Sequence, residues 1–376
     1  MQIGCTKNLC QQLKVIPQAF RDKVPLYAWH ANIFTLHRKK AVLLAHDASR
    51  FPILLFGLKA SHWKQIDSII EKAILRALEN EGIRPEVIQA FMRDAGEVVF
   101  TKTNDRSVLS AMNQMIQGIK YSENKEMNSE DIFQEDVCYY MGEWIFRHDG
   151  VYRSPREVLR EVLTEKYGVG PDGSPRSIYS VVAFQFMMKL ELDKHKVWRR
   201  VIVPANINFR RLHFVIQDAF GWRSYHLYRF DFFEKGKIVA SVCLDPYSDF
   251  LFENENAPSE ADDQVMVTRY FPKFRECTYE YDFGDGWIHK LKIEKIIEDY
   301  EDVRPVCIGG EGDCPPEDVG GESGYDDFLE AIRNPKHPEH REMTAWGIYQ
   351  RYEPFDLSKT NRKLARSLSA LYRNQT

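Results

Sequence analysis

The stretch VVAFQFMMKLELDKHKVWRRVIVPANINFRRLHFVIQDAFGW, Val181 to Trp222, decides how the C-terminal half is read. From Val182 to Leu192 apolar and polar residues alternate, as they do in a strand with one buried face. Asp193 and Lys194 make a turn region, and Val197 to Val203 reads as the returning strand. Asn206 or Asn208 is placed to cap a helix over Phe209 to Phe220, and Gly221 marks its end. A further strand follows at Leu227 to Phe233. Hairpin, helix, strand is the order of a β-grasp core, so the expectation is an α+β domain of β-grasp-like design, extended by another β-hairpin and C-terminal helices.

Upstream of this stretch, GVGPDGSPRS at Gly168 to Ser177 has the glycine and proline density of a linker. Tyr121 to Asp136 is polar and acidic, and a short amphipathic segment runs from Arg156 to Tyr167. These features predict a connection over residues 121–177 between a module at 1–120 and a domain at 178–376. A chain of 376 residues exceeds the size at which one core usually stops growing, which also favours two domains. The first module reads as α+β with one small sheet. It has a strand at Met1 to Thr6, a hairpin in IFTLHRKKAVLLAHD (Ile33 to Asp47) and a strand at Pro52 to Leu58. Helices follow Ser61 and Pro85, a strand returns at Glu97 to Thr101, and Asp105 or Ser107 caps a last helix.

Hydrophobic residues make up 44% of the chain and charged residues 28%, the balance of a folded globular protein. The net charge of -4 conceals an asymmetry. Residues 1–120 hold 17 Lys and Arg against 10 Asp and Glu, a net of +7, whereas the rest holds 34 against 45, a net of -11. A basic module suits a nucleic-acid or protein partner. No apolar run approaches the roughly 20 residues of a membrane span. The opening MQIGCTKNLCQQLKV lacks a secretory pattern, and seven scattered cysteines suit reduced thiols. A cytoplasmic protein without membrane association is expected; oligomeric state is left open.

Several longer motifs lie beyond the opening stretch. They are YEYDFGDGWIH at Tyr279 to His289, CIGGEGDCPPEDVGGESGY at Cys307 to Tyr325, and, before them, Val197-Trp198-Arg199-Arg200, Leu212 to Trp222 and His226. In this order they resemble the plasmid pRiA4b ORF-3-like family, from about Ile178 to about Leu364. The first module is similar to a family of uncharacterised domains, through Cys5-Thr6-Lys7, Trp29-His30-Ala31-Asn32, Gly57-Leu58-Lys59 and EVVFTKTNDRS at Glu97 to Ser107. The resemblance implies a fold, and an association with mobile elements, more than a reaction. Some family members carry a resolvase label, but no activated nucleophile ringed by arginines stands out in this chain. The DFG tripeptide at Asp282 to Gly284 lacks every other kinase motif.

Two constellations could carry chemistry. If Asp285-Gly286 forms a two-residue type I′ turn, Asp282 comes to face His289, a pair suited to orienting an imidazole for a metal or a proton. The alternative is a good turn with a surface contact. Cys307 and Cys314 flank a glycine-rich loop, and with His226, Asp282 and His289 they make a candidate ligand set that zinc would accept. The alternative is two unligated thiols in a structural loop. Asp285, Trp287, Glu317, Asp318 and Tyr325 are the candidate binding residues of this hairpin and loop. In the first module, Arg38, Lys39 and Lys40 form a basic hairpin tip that could touch phosphate or simply be solvated. Lys102, before a capped helix, fits an anion or a cap. The leading expectation is a non-enzymatic binding or adaptor protein; the alternative is a metal-dependent hydrolase of a phosphate ester or nucleotide.

Overall fold

The computed structural model describes the chain except residues 21–23, 122–126, 129, 149, 171, 245–257 and 369–376. The chain divides into two compact units, Met1–Ser180 and Val181–Thr376. Among the described residues no helix is long and apolar enough to cross a membrane.

In the first unit five strands form one sheet: β1 (Gln2–Cys5), β2 (Ala28–Leu36), β3 (Lys39–His46), β4 (Pro52–Phe56) and β5 (Val99–Lys102), in the order β4-β3-β2-β1-β5. β1 runs parallel to β2 and β5, and the β2-β3-β4 meander is antiparallel. Ala41 to His46 and all of β4 are buried, which accounts for apolar runs that do not alternate. The helices are α1 (Lys7–Leu13), α2 (Ala60–Trp63), α3 (Ile66–Asn80), α4 (Pro85–Ala95), α5 (Arg106–Tyr121), α6 (Glu135–Met141) and α7 (Pro155–Tyr167), with a small hairpin of β6 (Phe146–His148) and β7 (Val151–Arg153).

The stretch expected as a connection takes part in this unit. Phe133, Val137, Met141, Phe146, Leu159 and Leu163 join its core. Ser154 and Glu157 cap α7 reciprocally, and the buried Arg156 donates to Glu81 at 2.8 Å. An amphipathic helix has to bury its apolar stripe somewhere, and the core built by 1–120 supplies the surface. Residues 122–126 of the same stretch lie outside the described residues.

The second unit is an eight-stranded sheet: β8 (Val181–Leu190), β9 (Val197–Pro204), β10 (Tyr228–Glu234), β11 (Lys237–Cys243), β12 (Ser259–Ala261), β13 (Glu276–Tyr281), β14 (Trp287–Tyr300) and β15 (Val306–Glu311). Their order is β12-β11-β10-β13-β14-β8-β9-β15, with β11 and β12 the one parallel pair among the described residues. α8 (Phe209–Phe220) follows the β8-β9 hairpin. Asn208 caps it by accepting from the Arg211 amide at 3.1 Å, and Gly221 ends it at φ 92°. Hairpin, helix and strand do succeed one another, but β10 enters the sheet with β13 and β14 between it and the hairpin. The core is aromatic, with Phe184, Phe186, Phe209, Phe230 and Phe271 fully buried. α9 (Gly321–Arg333), α10 (His340–Tyr349) and α11 (Leu357–Leu364) complete the unit.

Candidate metal centre

β13 and β14 are joined by five residues, Asp282 to Gly286, with Tyr281 opposite Trp287 and Tyr279 opposite His289. Tyr279, Tyr281, Trp287 and His289 all lie on the buried face. Asp282, the first residue past β13, is left-handed at φ 56°. Its Oδ1 accepts from the Gly284 amide at 3.0 Å and the Asp285 amide at 3.4 Å, an arrangement open to Asp in this conformation. Its other oxygen, Oδ2, is left for a partner outside the loop.

That partner is His226, in the segment between α8 and β10, with Nε2 3.5 Å from Asp282 Oδ2 and 3.0 Å from Asp318 Oδ1. Asp318 follows the Cys314-Pro315-Pro316-Glu317 stretch and is itself left-handed at φ 60°. Ligand atoms of His226, Asp282 and Asp318 all lie within 4.8 Å of one another. Among the described residues, no other three His, Cys, Asp or Glu side chains converge in this way. The set is graded in exposure. Asp282 is 8% exposed, His226 is intermediate, and Asp318 is open to solvent. A centre of this kind has a fixed inner ligand and an open outer side.

Residues 182–363 match the model of the plasmid pRiA4b ORF-3-like protein family. An uncharacterised protein, y4hQ of Sinorhizobium fredii, is 36% identical over 169 residues, covering 44% of this chain and 82% of the relative. This chain belongs to the plasmid pRiA4b ORF-3-like family. Residues 2–158 match a domain of unknown function, DUF6933. A crystal structure of protein MM3350 of unknown function from Methanosarcina mazei is 28% identical, covering 48% of this chain and 97% of that one, at a TM-score of 0.40.

Of the five expected ligands, the family domain brings His226 and Asp282 together, with Asp318 in place of the other three. His289 does not face Asp282. The hairpin register sets it opposite Tyr279, enclosed by the rings of Phe220, Trp222 and Tyr279 at 4.7 to 5.3 Å. Burial pushes its pKa down to about 3, so the imidazole is neutral. Cys307 lies buried in β15, with Sγ 3.3 Å from the Gly309 carbonyl, and Cys314 is buried near Arg199. Burial raises both thiols, the reverse of what a thiolate ligand needs. Arg199 donates to the carbonyls of Trp198, Ala219, Glu311 and Gly312, and its guanidinium stacks on Phe355 at 3.8 Å. The glycine-rich loop is therefore held to the sheet by an arginine, with the thiols as packing.

The candidate binding residues sort similarly. Glu317, 3% exposed, accepts from the Tyr281 hydroxyl and from the Arg223 amide at 3.1 Å. Asp285 accepts from the Gly320 amide at 3.2 Å. Trp287 is core. Tyr325 is buried within α9 and donates to the Asp313 carbonyl. In the first unit Arg38 and Lys39 are exposed, Lys39 lying over the Phe56 ring at 5.5 Å, and Lys40 stands opposite Thr35. Lys102 is exposed at the end of β5, opposite Cys5. His30 is satisfied inside the fold, by Asp47 at 2.7 Å and the Asn104 and Asp105 amides at 3.3 Å.

Sequence reasoning missed a buried network beside the centre. His213 Nδ1 lies 2.7 Å from Tyr279 Oη, and its Nε2 lies 2.5 Å from Ser224 Oγ. The spacing invites a serine–histidine reading, which proton bookkeeping rejects. Gln217 Nε2 donates to Tyr279 Oη at 3.0 Å, so the tyrosine proton goes to His213 Nδ1. His213 then carries its proton on Nε2 and donates to Ser224, which is the wrong direction for activating a nucleophile. The apolar alternation of β13 points to Tyr279 and Tyr281 as inward residues; nothing local to either names its partner.

Proposed function

We propose that the C-terminal unit is a binding module that holds one divalent cation on His226, Asp282 and Asp318 and offers the ion's open side to an anionic group of a partner. The observation that carries the reading is the spacing of His226 Nε2 from one oxygen of each carboxylate, with all three donors within 4.8 Å of one another. An ion bonded at about 2.1 Å separates neighbouring ligand atoms by about 3.0 Å in an octahedron and about 3.4 Å in a tetrahedron. The separations of 3.0 and 3.5 Å fall at those edges. One imidazole and two carboxylates suit Mn2+ or Zn2+ better than a soft ion. Calorimetric titration of Mn2+ and Zn2+ into chelator-stripped protein should give one site per chain. H226A and D282N should each weaken it by about 100-fold or more; wild-type affinity in D282N would sink the assignment.

A second reading, hydrolysis of a phosphate ester or nucleotide, draws support from the small number of protein ligands, since three leave room for an ion-bound water. Metal-dependent turnover on a phosphoester panel, lost in D282N, would favour it. For the N-terminal unit, the exposed tip at Arg38 and Lys39, with Lys40 beside it, supports contact with nucleic acid or an acidic protein. Charge reversal there should reduce both binding and its salt dependence. Seven cysteines free of disulfides agree with a cytoplasmic setting.

A further inference from the structure

Each residue of the cation centre is the next residue in the chain after a member of one hydrogen-bonded junction. Tyr225 precedes His226, Tyr281 precedes Asp282, and Glu317 precedes Asp318. The Tyr281 hydroxyl donates to Glu317 Oε1 and accepts from the Tyr225 amide at 3.0 Å. Glu317 Oε1 also accepts from the Arg223 amide at 3.1 Å, and the Asp282 amide donates to the Leu227 carbonyl at 3.0 Å. Tyr281 is fully buried and Glu317 is 3% exposed, so the bond between them is shielded from competing water. Trp222, on the first of these segments, contacts the other two. It stacks on Tyr281 at 5.1 Å and donates Nε1 to the Pro315 carbonyl at 2.8 Å.

We infer that Tyr281 and Glu317 are positioning residues of the cation centre: their hydrogen bond sets the spacing of three ligands carried by separate segments. The inference rests on the cation reading above and adds residues that touch no ion. Three segments meeting at one hydroxyl leave the ligands one residue beyond the meeting point, where small shifts of backbone become shifts of ligand spacing. Outer partners of this type typically change metal affinity 10- to 100-fold when removed.

The test compares Y281F, E317Q and E317A with the wild type. Mn2+ affinity is measured by calorimetry, and the melting temperature of the metal-free protein is measured alongside. Phenylalanine keeps the ring and removes the hydroxyl, so Y281F should bind Mn2+ about 10- to 100-fold more weakly. Glutamine keeps an acceptor for both donors, so E317Q should stay within about 3-fold of wild type while E317A falls as far as Y281F. The double variant Y281F/E317A should be no weaker than Y281F by more than about 2-fold, because the two side chains act as one unit. A purely structural role would make affinity follow melting temperature and would not restore binding in E317Q alone. Y281F or E317A at wild-type affinity, with D282N still unable to bind, overturns the junction and leaves the centre standing. A wild-type protein that takes up neither ion sinks the centre and the junction together. If Y281F fails to fold, the E317Q and E317A pair decides.

Discussion

Two hairpins in this protein reverse what their turn residues promise. β2 and β3 are joined through His37 and Arg38 alone, with Leu36 opposite Lys39. Both turn residues are left-handed, at φ 45° and 62°, and neither is glycine, asparagine or aspartate. β13 and β14 contain Asp285-Gly286, the dipeptide that best suits such a turn, yet they are joined by five residues. What differs is what stands across the strands. Residues directly opposite share a face of the sheet. A two-residue turn at Asp285-Gly286 would set Tyr281 against Lys290 and Tyr279 against Lys292, burying lysines or exposing rings. The longer loop pairs Tyr281 with Trp287, Tyr279 with His289 and Cys277 with Leu291, all buried. Each large side chain buried is worth about 1.5–3 kcal/mol, whereas a left-handed L-residue costs about 1–2 kcal/mol, so the packed face sets the register. The same longer loop leaves Asp282 outside the ladder, free to serve as a ligand.

This contrast can be broken or sharpened experimentally. Excising Asp282, Phe283 and Gly284 leaves Tyr281-Asp285-Gly286-Trp287, a tight Asp-Gly turn in the observed register. The protein should still melt cooperatively, and Mn2+ binding should fall by more than about 100-fold, read by calorimetry; retained binding would show that the loop is not the ligand carrier.

The register also predicts an acid response. Because His289 is held neutral with a pKa near 3, the unfolded chain takes up a proton below its ordinary value of 6.5 and the folded chain does not. Stability from this group is therefore complete above about pH 6.5 and is lost as pH falls toward 3, on the order of 5 kcal/mol in all. H289L should flatten that part of the denaturation-versus-pH curve; an unchanged slope would place the imidazole elsewhere. Gly286 sits at φ 70°, and a methyl group added there would have nothing within 4 Å, so G286A meets only backbone strain and should destabilise by about 1 kcal/mol in urea titration. Smallest of the four, R38G relieves a left-handed arginine but loosens the unfolded chain, a net gain of about 0.5 kcal/mol. A loss of stability in R38G would mean that the tip is not strained.

Much of the fold is legible along the chain. Asn208, the apolar period of Phe209 to Phe220 and Gly221 specify α8, and alternation specifies β8 and the inward set Trp287, His289, Leu291 and Ile293. That last alternation, set against Tyr279 and Tyr281, already argues for the five-residue loop; the Asp-Gly signal outweighed it because turn residues are read locally and pairing is not. The candidate site was legible as residue types. His226, Asp282 and Asp318 can each be named from the sequence, but Cys307, Cys314 and His289 have claims there too, and only the strand register and the convergence of the three segments separate them.

Periodicity, caps and composition are properties of neighbours within a turn or two, so the chain itself settled its helices, most of its strands, its two-part organisation and its family. Which carboxylate meets which imidazole depends on segments 56 and 36 residues apart converging on one buried hydroxyl. That meeting follows from sheet register and loop packing, whose energies are summed over the whole core, and it exists only once the core has formed.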